Sequence, residues 1–66
     1  MQKLTLKELV DLANLCAFNA RVESTDRRIA EELWKMALEY RARAAKADNG
    51  RNPDIGEPPD FLLKKS

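Results

Sequence analysis

The 66-residue sequence contains no histidine and one cysteine, Cys16. Without an imidazole the usual general base is missing, and a single thiol excludes an internal disulfide. One soft ligand is also too few for a structural zinc ion, which takes four from Cys and His. Long apolar runs are lacking too. Nothing approaches the roughly 20 residues that span a bilayer, and Met1-Gln2-Lys3-Leu4 is not the apolar opening of a signal peptide. The expectation is a cytoplasmic protein without metal or cofactor, the lone thiol suiting a reducing compartment. Nor is there a charge excess: 12 Lys and Arg stand against 11 Asp and Glu, so neither nucleic acid nor an acidic membrane attracts the chain in bulk.

What is present is a mixture of 44% hydrophobic and 35% charged residues, too apolar for a disordered chain. Such a length allows one domain that buries only about 60% of its unfolded surface. At this size apolar burial and ordering entropy nearly cancel. Small proteins make up the difference with disulfides, metals or self-association, and here only self-association is left.

Thr5-Leu6-Lys7-Glu8 spells a capping box flanked by Leu4 and Leu9 as a staple. It opens a helix over about residues 5–22, whose stripe Leu6, Leu9, Val10, Ala13, Cys16, Ala17 and Ala20 recurs at helical spacing. The small residues at its far end let a partner helix come close. Glu23-Ser24-Thr25-Asp26 is a polar break, with Ser24 or Thr25 as the expected cap of a second helix over about 25–48. Asn49-Gly50 supplies a left-handed stop. The core stripe of this helix is expected to be Ile29, Leu33, Met36, Tyr40, Ala44 and Ala47, with Ala30 and Ala37 at its edge. Glu31, Lys35, Glu39 and Arg43 follow at four-residue steps and are expected to pair. The second helix should outrun the first by about 9 Å, leaving last turns that the tail could cover. Pro53, Pro58 and Pro59 keep the tail from regular helix. The fold class is therefore all-α: an antiparallel two-helix hairpin (1–50) with an extended, proline-containing tail (51–66).

Each helix carries a second apolar ridge. Leu12, Leu15, Phe18 and Val22 form one, and Trp34, Leu38 and Ala45 form the other. A two-helix protein cannot bury both, and large exposed apolar patches mark interfaces. The reading preferred is dimerisation into a four-helix bundle; the alternative is that Ile55, Phe61, Leu62 and Leu63 fold back over part of this surface. Asn19 lies beside Leu12, Leu15 and Cys16 as a candidate buried register-fixing group or a wet border residue. Trp34 is read either as the interface anchor or as ordinary core.

Catalytic constellations are not found. Cys16 lies in the core stripe, where burial keeps a thiol inert. Glu31 and Glu32 point about 100° apart with basic neighbours, as on a solvated face, and the Glu-x-x-His motif of bundle metal sites is absent. Arg27, Arg28, Arg41, Arg43, Lys46 and Arg51 are the basis for an alternative nucleic-acid role, with Tyr40 the one interleaved aromatic. Their mixture with acids argues against it and against a membrane surface. Gly56-Glu57-Pro58-Pro59-Asp60-Phe61-Leu62-Leu63 has the form of a short docking peptide or of a tail packed on its own helices.

Leu12-Ala13-Asn14-Leu15-Cys16 through Ala20, Ala30-Glu31-Glu32-Leu33-Trp34-Lys35-Met36-Ala37, and Tyr40 through Ala45 together resemble the short helical-hairpin proteins of unknown function found in bacteria. The resemblance excludes the tail and implies the hairpin fold alone. The texture is also similar to one helix pair of the tetratricopeptide type, without that repeat's glycine and proline positions. The expected function is a non-enzymatic adaptor or regulatory module that dimerises or docks on a larger protein. Its expected interface residues are Leu12, Leu15, Phe18, Val22, Trp34, Leu38 and Phe61.

Overall fold

A computed structural model describes residues 3–23 and 25–63. The order is α1 (Leu6–Val22), α2 (Arg27–Ala47) and a single turn α3 (Asp60–Leu63), with no strand among the described residues. The two long helices pack against each other as an antiparallel hairpin.

Local chemistry sets the ends. The capping box forms: Glu8 N donates to Thr5 Oγ1 at 3.1 Å, and Thr5 N donates to Glu8 Oε1 at 2.8 Å. At the hairpin turn the cap of α2 is Asp26, whose Oδ1 accepts from Arg28 N at 2.9 Å. The expected cap Thr25 instead donates from both its amide and its hydroxyl to the Glu23 carboxylate, and Ser24 lies outside the described residues. An aspartate at the positive end of a helix adds a charge term that a hydroxyl lacks, so Asp26 is the better cap. At the far end Asn49 and Gly50 take φ of 54° and 88°, and Gly50 N donates to Ala45 O at 2.7 Å, which is the left-handed stop.

The seam between the helices is made of alanine. Ala13, Ala17 and Ala20 on α1 and Ala30, Ala37 and Ala44 on α2 are all 0% exposed. The seven-residue spacing of Ala30, Ala37 and Ala44 keeps one small residue facing the partner every two turns. This corrects the stripe expected for α2. Ile29 and Met36 are 46% and 43% exposed, Ala47 is exposed, Leu33 and Tyr40 are half-buried, and Ala30 and Ala37 lie at the centre rather than the edge. The helix is turned by about a quarter of a revolution from the hydrophobicity-weighted orientation. Side chains as small as methyl set the closest helix separation, and the bulky residues become its rims.

Residues 51–59 have no regular structure. They return the chain along one rim, where Ile55, 2% exposed, enters the cluster of Ala13, Cys16, Ala17 and Ala37, with Trp34 and Tyr40 packed against it. An Asx turn shapes the approach, Gly56 N donating to Asp54 Oδ1 at 3.0 Å. At 60–63 the extended tail is corrected to a helical turn, Leu62 N donating to Pro59 O at 2.9 Å. Proline is at home just inside a helix start, where its missing donor is not needed. At the end of α2, Arg43, Lys46 and Ala47 share a hollow with Lys3, Leu4 and Leu9, and no contact of the described tail residues is placed there.

The expected charge ladder is also absent. Among the described residues no pair forms along Glu31, Lys35, Glu39 and Arg43; Lys7 pairs with Asp11 at 3.8 Å, both well exposed, and Arg43 lies over the Tyr40 ring, 5.9 Å from its centroid. Exposed pairs contribute so little that side-chain entropy decides their geometry.

Because the seam tolerates only methyl-sized groups, Ala37→Leu is expected to destabilise the chain by about 1–3 kcal/mol, while exposed Ala42→Leu leaves it within about 0.5 kcal/mol. Urea denaturation followed by helical circular dichroism measures both.

Candidate protein-interaction surface

Helical periodicity divides the hairpin into two flanks. Arg21 of α1 and Arg27, Trp34, Leu38 and Ala45 of α2 lie on the flank that the tail covers. The Arg21 guanidinium donates from one nitrogen to Ile55 O at 2.9 Å and Glu57 O at 3.1 Å. Between these carbonyls is Gly56, with φ of 84°, where a Cβ would stand 3.0 Å from the same nitrogen. Farther along, Arg27 lies over the Phe61 ring at 5.3 Å. Three contacts therefore hold the tail: a buried isoleucine, an arginine clamp and a cation over an aromatic ring.

Among the described residues the opposite flank has no such cover. Leu12, Leu33 and Tyr40 are half-buried there, and Ile29 and Met36 are open. Beyond Leu12 the outer side of α1 carries Leu15, Phe18 and Val22, 55%, 56% and 56% exposed. Asn19 is half-buried on this flank, and its carbonyl accepts from Glu23 N at 3.0 Å, closing the last turn of α1.

Of the expected interface residues, Leu15, Phe18 and Val22 thus form one exposed ridge, with Leu12 half-buried beside it. Trp34 and Phe61 do not join it: both are half-buried and take part in packing within the chain. Leu38, 38% exposed, lies on the tail's flank and not beside the α1 ridge. The residues of α2 that accompany the ridge are Ile29 and Met36, which amphipathic reading assigned to the core. Ala45 is buried. Arg21 carried no sequence signal beyond having no acid one turn away, since Ala17, Phe18, Ser24 and Thr25 occupy those positions.

Cys16 is 7% exposed in the central cluster, and burial pushes its thiol pKa up. Arg41 is half-buried, and with Arg27 and Arg43 on aromatic rings the basic residues of α2 gather no continuous stripe. Among the described residues no helix is long and apolar enough to cross a membrane, and no group of three His, Cys, Asp or Glu side chains is placed to hold a metal ion. No family model, curated protein or solved structure matches the chain.

Arg21→Met keeps the aliphatic stem but removes both donors. It is expected to lower stability by about 1 kcal/mol and to speed proteolytic cleavage within 51–59, with helix content unchanged. For Cys16 the sign is alkaline: a raised folded pKa contributes fully below the unfolded value of about 8.5 and is lost as pH climbs toward the folded one. Urea midpoints of the unaltered chain should therefore fall more steeply above pH 8.5 than those of Cys16→Ala.

Proposed function

We propose that this chain is a small, cytoplasmic, non-enzymatic interaction module, an adaptor or regulatory subunit that works through the flank of the hairpin its tail leaves open. The observation that carries the reading is the asymmetry of the two flanks. One is closed by Ile55, Arg21 and Phe61, while the other presents Ile29 and Met36 to solvent, and the outer side of α1 next to it carries the exposed Leu15, Phe18 and Val22. Contiguous exposed apolar surface of this kind is uncommon on monomers and marks a place where another surface packs.

Mixed aliphatic side chains and methionine suit helix-on-helix contact. A sequence without histidine and a thiol held in the core support the non-enzymatic reading. The tail, with its isoleucine inside the protein, works as an internal cover and not as a free docking peptide.

Replacing Met36 with a photoreactive amino acid tests this in the cells that make the protein. Discrete higher-mass adducts are expected from position 36, and none from position 35 on the charged face. Position 36 giving no adduct would contradict the reading.

A further inference from the structure

We infer that the open flank is covered by a second copy of this chain, giving a two-fold four-helix bundle in which α1 of each copy lies on α2 of the other. This rests on the open-flank reading above and names its occupant.

Area is the first support. The chain exposes 5379 Å², whereas a compact monomer of its 7.5 kDa exposes about 4,200 Å². The surplus, on the order of 1,000 Å², exceeds the roughly 800 Å² that each partner gives to a standard interface. Shape agrees. The radius of gyration is 12.4 Å, against about 11 Å for a compact chain of 66 residues. The extents of 37 × 23 × 14 Å are those of an elongated slab in which the tail backs one face of the hairpin, while among the described residues the other face has no second layer. A second identical slab supplies that layer.

Charge is the second support. Leu9 shares a hollow with Arg43 and Lys46, so Glu8 at the start of α1 and Arg43 near the end of α2 stand at the same end of the hairpin. Both are exposed on the rim of the open flank. A two-fold axis running along the helices places the Glu8 end of one copy against the Arg43 end of its partner. It keeps all neighbouring helices antiparallel, as bundle packing prefers. Leu12, Leu33, Met36 and Tyr40 form the centre of the flank, and Glu39 and Arg43, an acid and a base, line the hollow beside Met36 and Tyr40 at its edge. The Glu8 and Arg43 juxtaposition then recurs on both rims under one symmetry operation.

Sedimentation equilibrium of the purified chain is the test. A species of twice the chain mass is expected, with Met36→Glu and Ile29→Glu each raising the dissociation constant about 100-fold and Leu38→Glu, on the tail's flank, leaving it unchanged. The thermal midpoint of the unaltered chain should rise with concentration, a reading that holds even if a variant fails to fold. A monomer with a concentration-independent midpoint would overturn the second-copy proposal. Adducts to a different protein from position 36 would then leave the open flank standing as an interaction site, and no adducts would overturn both. A dimer that survives Met36→Glu and Ile29→Glu but dissociates in Leu38→Glu would also overturn it.

Discussion

The approach of two helices through alanine is the constraint from which the other features follow. With Ala13, Ala17 and Ala20 facing Ala30, Ala37 and Ala44 at full burial, the seam is set by methyl groups, and Leu9 and Cys16 are the larger α1 side chains buried beside them. Close backbone approach yields many dispersion contacts but removes little apolar area per residue, since a methyl group is small. The bulky side chains Leu12, Leu33, Trp34 and Tyr40 are pushed to the rims, half-covered. A seam of this kind orients two helices well and stabilises them modestly.

The tail answers part of that deficit on one side. Ile55 is the one large side chain among the described residues that is fully buried, and it is delivered by a segment without hydrogen-bonded regularity. Arg21 compensates by donating to two of its carbonyls, and the left-handed Gly56 between them makes room for the guanidinium. Sequence, turn and clamp agree there on one placement, which is what specifies a unique structure in a small chain. Among the described residues nothing comparable reaches Ile29 and Met36, and that difference separates the two flanks.

Features governed by neighbouring residues were legible in the sequence. The capping box at Thr5 and Glu8, the stop at Asn49 and Gly50, and the small-residue stripe of α1 all depend on contacts within a turn or two. The facing of α2 was not legible. Ranking its apolar residues by size selects Ile29, Leu33, Met36 and Tyr40, but helix contact is decided by which residues allow the closest approach, and that depends on alanines of another helix. Trp34 could be read as anchor or as core, because the cluster it packs against includes Ile55, 21 positions away in an irregular segment. Of the candidate surface, the α1 ridge could be read from periodicity because α1 has one seam face and, among the described residues, nothing crosses its outer side. The α2 half was displaced to the wrong flank for the same reason its core was.

Nuclear Overhauser contacts of the Ile55 methyls test the central claim most directly, because they report which flank the tail closes and which face of α2 meets α1. Intrachain contacts from Ile55 to the methyls of Ala13, Ala17 and Ala37 are predicted, with Met36 showing none to Ala13 or Ala17 of its own chain. Met36 in intrachain contact with those alanines, with Ile55 free of them, would contradict the alanine seam and the division into closed and open flanks built on it.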